Sequence, residues 1–351
     1  MSTSSNAVEL LFPPCGYVFD THTDIQNKFI EKIEKYNIDV AIEWLKTVKN
    51  SELSYPRTLM FSWGCVDGGI FELSENADFI NAYSVKCDTS FCEIGNLKVA
   101  KKYYWRVNGG EARYFYTKDN DIRFIKIDGL LNVRDIGGKN IEQGLIYRGS
   151  DLDLVYKISE KGKEIFCNQL GIKTEIDLRK GADSNRPCAL GDRVRLKSLP
   201  YRPYREVFEE EHRQGICSIM NFLSDEENYP IYIHCLGGAD RTGMIAFYLR
   251  ALAGECDELI HLDYELTGLS TYAYGLAEGA GRDGFRNRNS DYYTEFLAML
   301  NEYAPGGALS AKVRAFLLDC GVEAECIDKI LSIAKQAGIK SILFYYTCFY
   351  E

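Results

Sequence analysis

The stretch His234-Cys235-Leu236-Gly237-Gly238-Ala239-Asp240-Arg241-Thr242-Gly243 decides the fold of this chain and points to its chemistry. The residues just before it, Tyr229-Pro-Ile-Tyr-Ile233, read as a short buried strand. Those just after it, Thr242 to Leu252, carry apolar side chains at Met244, Ile245, Tyr248, Leu249 and Leu252, the spacing of a helix. A cysteine therefore sits where a strand passes, through a glycine-bearing loop, into a helix N-terminus. Such a turn is an anion site with a nucleophile in its floor.

Phosphoryl transfer through a thiol makes four demands, and this loop answers each. The sulfur must be anionic near neutral pH. An ordinary cysteine has a pKa of ~8.5, which a helix N-terminus and a neighbouring guanidinium lower; for Cys235 that guanidinium is Arg241. The phosphate oxygens need donors, and the backbone N–H groups from Leu236 through Gly237, Gly238 and Ala239 to Thr242 and Gly243 can form a concave nest around them. Arg241 adds a two-pronged bond that a lysine cannot reproduce. The leaving group needs a proton, and Asp240 is the nearest carboxyl in sequence. A phenolate, with a conjugate-acid pKa of ~10, asks least of that acid, so phosphotyrosine is the favoured substrate. Lastly, water must release the phosphate from sulfur, with Thr242 bonding the sulfur and Asp240 changing from acid to base. The scheme uses no cofactor and no metal.

The 351 residues, 46% of them hydrophobic, suffice for two domains. A net charge of −10 argues against non-specific binding to nucleic acid or anionic membrane, so a local group of arginines has to capture any anionic substrate. No stretch approaches the ~20 apolar residues of a membrane span. The start, Met1-Ser-Thr-Ser-Ser-Asn, lacks the basic and apolar parts of a secretory signal. The twelve cysteines are scattered, without a Cys-x-x-Cys pair. Reduced thiols in a cytoplasmic setting are therefore expected, with neither a disulfide framework nor a zinc site.

Two regions are expected, divided near residue 127. In the first, residues 24–48 form an amphipathic helix opened by a capping box of Thr23 and Gln26. Short β-type runs follow at Thr58–Trp63, Gly69–Leu73, Tyr83–Cys87, Tyr103–Val107, Arg113–Thr117 and Arg123–Ile127, which suits a small all-β sandwich. From 128 to 351 strands alternate with helices, as in a sheet flanked by helices. Strands are expected at Leu145–Arg148, Lys173–Leu178 and Val194–Leu199. Helices are expected at Ser159–Leu170, Gly215–Phe222 and near 242–253, 290–303, 310–319 and 323–336. The aromatic end, Ser341–Tyr350, reads as a β-rich tail.

With the loop and these elements in view, the chain resembles the bacterial cysteine-dependent tyrosine/dual-specificity phosphatases, whose loop reads His-Cys-x-x-Gly-x-Asp-Arg-Thr-Gly. Asn132-Val-Arg-Asp-Ile-Gly-Gly138 resembles that family's Asn-x-Arg-Asp-hydrophobic-Gly-Gly signature. Leu145-Ile-Tyr-Arg-Gly-Ser150, Gly171-Ile-Lys-Thr-Glu-Ile-Asp-Leu-Arg179 and Asp263-Tyr-Glu-Leu-Thr267 resemble further segments of it, in order, over about 129–335. The resemblance implies a phosphocysteine on Cys235, with His234, Arg134, Asp135, Arg148, Asp177 and Arg179 near the site. It leaves open whether these touch substrate or brace the loop; Asp135 with Arg148, and Asp177 with Arg179, would serve as bracing pairs. Asp177 also rivals Asp240 as general acid. Run Tyr103-Tyr-Trp-Arg-Val107 resembles a late strand of fibronectin type III-like modules.

Relatives acting on phosphoinositides carry lysine before the loop aspartate, where this chain has Ala239. One cationic donor for an inositol ring phosphate is thus missing, which argues against lipid phosphatase activity; phosphoinositides or inositol polyphosphates are the alternative substrate class. Arsenate reductase and rhodanese chemistry lack their signatures here. A non-enzymatic alternative is a phosphate-reading module coupled to a sandwich whose partner is unknown. The expected ligand is a phosphorylated protein or small phosphomonoester. Segment 201–213 is either a mobile lid or substrate loop, with Arg202, Arg205 and its tyrosines facing the ligand, or an exposed charged helix; segment 279–289, with Arg282, Arg286 and Arg288, either binds phosphopeptide or is a solvated turn.

Overall fold

The computed structural model describes residues 8–48, 51–181, 186–274 and 284–336. Its N-terminal part is a two-sheet sandwich. Strands β1 (Glu9–Phe12), β3 (Leu59–Gly64) and β6 (Phe91–Ile94) form one antiparallel sheet in the order β1-β3-β6. Strands β2 (Tyr17–Phe19), β4 (Gly69–Ser74), β5 (Tyr83–Cys87), β7 (Lys102–Val107) and β8 (Arg113–Thr117) form the other in the order β2-β8-β7-β4-β5. Alternation produces the arrangement: along β7, Tyr103, Trp105 and Val107 are buried while the residues between them are partly exposed. Phe61 of one sheet meets Phe71, Trp105 and Phe115 of the other edge-on, which closes the core between the layers.

Five expected β runs appear here within a residue or so. β1, β2 and β6 went unread in the sequence. The sixth run needs correction: it shrinks to β9 (Arg123–Phe124) and joins the second region's sheet, because Arg123 there reaches the buried carboxylate of Asp135 at 2.8 Å.

The helix expected over 24–48 is two helices, α1 (Asp24–Lys35) and α2 (Ile38–Lys46). The capping box of Thr23 and Gln26 is present at the start of α1. The break comes where the Asn37 side chain accepts from the Val40 N–H at 2.9 Å and so caps a new helix. Although this pair lies in sequence between β2 and β3, its apolar face does not fill the sandwich. Phe29, Ile38, Ala41 and Leu45 share a core with Leu259, Leu262, Leu266, Leu269 and Phe285 of the second region.

That region is built on a six-stranded sheet. β9, β10 (Arg134–Asp135), β11 (Ile146–Gly149), β12 (Thr174–Asp177), β13 (Arg195–Ser198) and β14 (Ile231–His234) lie in the order β13-β12-β14-β11-β10-β9. The first four of that order are parallel, while β10 pairs antiparallel with both its neighbours. Every residue of β14 is buried, as its continuous apolar run demands for a central parallel strand. His234 is level with Gly149 on one side and Asp177 on the other, so three chain segments leave the sheet at one edge. Ligands of parallel sheets bind outside that carboxyl edge.

Helices α3 (Glu160–Glu164), α4 (Glu210–Leu223), α5 (Asp240–Leu252), α6 (Asp257–Glu265), α7 (Asp291–Asn301), α8 (Leu309–Asp319) and α9 (Ala324–Ala334) complete the region. α3 continues as a π-turn over Ile165–Gln169. From Thr242 to Leu252 every residue of α5 is buried, so it runs through the middle of the core. The tail Ser341–Tyr350 lies outside the described residues.

Phe29 is wholly buried and lies with Phe285 against Gly268. Phe29→Ala should cost about 3–5 kcal/mol of stability by urea denaturation, the usual loss for an emptied aromatic site. A loss below about 1 kcal/mol would mean that the helix pair does not dock there.

Candidate active site

Cys235 follows β14 directly and is nearly fully buried. From it the chain turns through 236–239 into α5. The three carbonyls of the turn point outward and each takes a donor from elsewhere in the chain. The Asp151 N–H donates to Leu236 O at 2.8 Å, Asn132 Nδ2 to Gly237 O at 3.0 Å, and Arg148 Nη2 to Gly238 O at 2.6 Å. In a trans peptide the N–H is opposed to the C=O, so the following N–H groups face the other way, into the concave side. Among the described residues, no protein acceptor meets the N–H groups from Leu236 to Thr242. The turn is a cup of unpaired donors at a helix N-terminus.

Two glycines make the cup possible. Gly238 has φ of +66°, and a Cβ there would lie 2.4 Å from the Gly149 backbone. A Cβ on Gly237 would enter the Tyr272 ring at 2.2 Å. Arg241, half-buried in the first turn of α5, makes only a long 3.5 Å bond to Leu178 O among the described residues. The bond expected between Thr242 and the Cys235 sulfur is not formed in this structure; the Thr242 hydroxyl is buried and has no partner among the described residues.

Asp263 organises the donors behind the cup. Its carboxylate accepts from Arg134 Nε at 3.1 Å and from Arg148 Nη1, and its carbonyl accepts from Arg134 Nη2 at 2.9 Å. Arg134 also bonds the Asn132 side-chain oxygen, so Asn132 and Arg148, both holding the cup, are held through one acid. Burial opposes the charge on Asp263, but Arg148, Arg134 and Arg250 outweigh it and keep the carboxyl far below the usual range. Arg148 therefore joins loop and acid directly and Arg134 joins them through Asn132, both fully buried within the protein. Asp135 does not meet Arg148. It accepts from Arg123 at 2.8 Å and from the N–H groups of Gly137 and Gly144 at 2.8 and 2.7 Å, tying up its own turn.

On the other flank, His234 Nε2 faces Glu175 at 3.0 Å and its Nδ1 faces Cys235 O at 3.1 Å. Burial would lower the His234 pKa, but the Glu175 carboxylate, helped by Asp177, raises it. The His234 ring thus bridges the Cys235 carbonyl to β12. Arg179 Nε donates to both oxygens of Asp177, at 2.9 and 3.0 Å, and Nη2 to Asp153 at 2.9 Å, while Arg186 bonds Asp177 and Glu175 at 3.0 Å each. Burial raises the Asp177 pKa, yet Arg179 and His234 bring it below the ordinary value. Glu175, Asp177 and His234 bring metal-ligand atoms within 4.8 Å of one another. Their lone pairs, however, are already engaged by one another and by two guanidinium groups.

Asp240 stands at the mouth. Its oxygens accept from Tyr204 Oη at 2.5 Å and Arg286 Nη2 at 2.7 Å, and Tyr204 meets Tyr264 at 2.6 Å. Desolvation raises the Asp240 pKa, but Arg286, Tyr204 and Arg241 together hold it below the usual value. Of 201–213, Tyr204 alone turns to this site. Arg202 and Arg205 pair with Glu206 and Glu295 on the surface, and Glu210 onward is α4. Of 279–289, Arg286 reaches Asp240 and Arg288 pairs with Glu265, while Arg282 lies outside the described residues. Tyr264, Tyr272, Asn132 and Glu175 were not singled out as site residues in the sequence.

A parallel sheet whose central strand ends in a cysteine-floored anion cup places the chain among phosphatases. Residues 125–330, more than half of the chain, match the model of the Tyrosine phosphatase family, and the chain belongs to that family. Among solved structures it is similar to TpbA of P. aeruginosa in complex with pTyr, 19% identical, covering 57% of this chain and 96% of that one, with a TM-score of 0.33. A second TpbA structure is 17% identical over 54% and 91% of the two chains, TM-score 0.32. The core catalytic domain of the PP-IP phosphatase SIW14 from S. cerevisiae, in complex with citrate, is 17% identical over 48% and 95%, TM-score 0.28. No curated protein matches the chain. No helix among the described residues is long and apolar enough to cross a membrane.

Asp263→Asn should cost about 3–5 kcal/mol, because buried guanidinium groups lose their counter-charge. The folded pKa of Asp263 is depressed, so its contribution is complete above the unfolded value of ~3.9 and is lost as pH falls through the folded one. Denaturation from pH 7 to pH 5 should therefore show a constant gap between wild type and variant, narrowing only toward strong acid. Gly238→Ala should lower turnover of any phosphomonoester at least about 100-fold with the fold retained by circular dichroism, since the cup must move to admit the methyl group.

Proposed function

We propose that this chain hydrolyses phosphotyrosine and other aryl phosphomonoesters in two steps, without a metal, through a phosphocysteine on Cys235. The observation that carries this reading is the cup: unpaired N–H groups from Leu236 to Thr242, fixed by outward carbonyls bonded from behind, directly after the Cys235 sulfur. Convergent amides and a guanidinium in that geometry suit the equatorial oxygens of a transferring phosphoryl group.

In the first step the Cys235 thiolate attacks phosphorus, the S–P bond forms and the P–O bond to the leaving group breaks. Asp240 hands the leaving oxygen a proton. Arg286 and Tyr204 keep that carboxyl ionised at rest, so the proton arrives with the substrate as its phosphate monoanion, whose second pKa is ~6. Asp177, closed in by Arg179 and Arg186, is the poorer candidate. In the second step water attacks phosphorus, gives a proton to Asp240, and the S–P bond breaks to restore the thiolate. Arg241 holds two phosphate oxygens throughout.

The sandwich, which we read as a fibronectin type III-like accessory unit beginning before residue 20 and ending near 121, binds no substrate in this scheme. A cytoplasmic setting, where a nucleophilic thiol stays reduced, suits a mechanism that depends on Cys235.

A phosphotyrosine peptide, a phosphoserine peptide, a phosphoinositide and inositol hexakisphosphate should be offered to wild type and Cys235→Ser. Fast release of phosphate from the first alone, abolished in a folded Cys235→Ser, is the expected result. Residual turnover by that variant would remove Cys235 from the mechanism. Asp240→Asn should slow alkyl phosphates about 10²–10⁴-fold and a p-nitrophenyl ester far less, because the better leaving group needs little acid. Equal slowing of both would give Asp240 a positioning role.

A further inference from the structure

A cleft of about 1070 Å³ opens from the active site, with Asp240 and Tyr272 at its inner end. One wall is α2, the other the turn at 203–206 and residues 284–295. Tyr272 lies over Gly237 of the cup, and Asp240 begins α5, so a group attached to a phosphate in the cup runs outward into this space. The inner part of the cleft is aromatic and apolar, through Tyr204, Tyr292, Phe285 and Ile42. Its volume equals the largest drug-sized pockets and far exceeds one phenyl ring.

Its charge is one-sided. Asp39, Glu43, Glu206, Asp240, Asp291 and Glu295 line it, against Lys46 and Arg286 among the described residues. Arg286 belongs to the inner end: it is nine-tenths buried, its Nη2 is on Asp240, and its Nε has no partner among the described residues. That leaves one unsatisfied cationic donor beside the phosphate cup and carboxylates further out. Some of those carboxylates have cationic neighbours, Glu43 with Lys46 at 2.9 Å, Glu295 with Arg205 at 3.1 Å and Glu206 with Arg202 at 3.5 Å, whereas among the described residues Asp39 accepts from the neutral Asn287 amide at 2.6 Å, and Asp291 stands in the first turn of α7.

We propose that this cleft selects phosphotyrosine carried in a peptide segment with lysine or arginine beside it, and rejects substrates bearing several phosphates. The proposal rests on the phosphotyrosine reading above. An inositol polyphosphate seated in the cup would put its remaining phosphates against these carboxylates, where like charges repel. A cationic flank meets them favourably, and the ring fills the aromatic inner part. α2 thus contributes to specificity although it precedes the catalytic sheet in sequence.

The test compares two phosphotyrosine peptides of equal length, one flanked by lysines and one by glutamates, in the full-length protein at low and high salt. The lysine peptide should have a kcat/KM about tenfold higher at low salt, with the preference shrinking as salt is raised. Combined Glu43→Lys and Glu295→Lys, both on exposed helix faces, should bring the ratio to about one or below; Glu206→Lys is the independent second variant. Using the ratio within each variant cancels any general change in catalysis. Equal kcat/KM for the two peptides in wild type, or a preference unmoved in both variants, would overturn the proposal while leaving the phosphatase reading in place. Faster hydrolysis of inositol hexakisphosphate than of either peptide would overturn both.

Discussion

The carboxylate of Asp263 is the constraint on which the site depends. It sits in α6, far along the chain from the loop, and receives Arg134 and Arg148 from two adjacent strands. Those residues and Asn132 in turn hold the carbonyls of Gly237 and Gly238 outward. Without the acid, two guanidinium groups would face each other in the interior, and the peptides of the loop would be free to flip. A flipped peptide presents a carbonyl where the phosphate needs a donor. Buried charge of this kind contributes little net stability relative to an apolar replacement; what it supplies here is the orientation of the peptide planes.

The motif was legible because its chemistry is contiguous. The proposed nucleophile Cys235, the loop amides, the proposed acid Asp240 and the Arg241 guanidinium lie within ten residues, His234 to Gly243, and covalent connection alone keeps them together. The strand and helix on either side follow from a buried apolar run and a helical period. What the sequence left open was settled by partners brought from afar. Arg286 and Tyr204 lay in segments read as either substrate loop or solvated surface, and their bonds to Asp240 span 46 and 36 residues, a distance over which no local pattern names a partner. α1 and α2 were visible as an amphipathic segment, but amphipathicity names no partner, and the cap at Asn37 that divides them was passed over. β1 was missed because only Leu10 of its four residues is buried, so no alternation shows.

The distribution of charge follows one rule on two scales. The protein is acidic as a whole, while Arg123, Arg134, Arg148 and Arg250 are enclosed in its interior. Anions are therefore not drawn in from a distance, and attraction begins only at the cup. Sheet order makes that economy possible: Gly149, Asp177 and His234 end level, so what supports the nucleophile leaves the sheet at the same edge.

The path of the backbone between the two regions has a consequence for how the molecule can be divided. The chain begins in the sandwich, leaves it to lay α1 and α2 on the catalytic core, returns for β3 to β8, and leaves again at β9. Three crossings tie the halves together as a seam does, where a single linker would be only a tether. No one cut frees an intact catalytic half, since removing everything ahead of β9 strips the cover from Leu266, Leu269 and Phe285. A cassette running from β1 to β8 would carry α1 and α2 away with the sandwich.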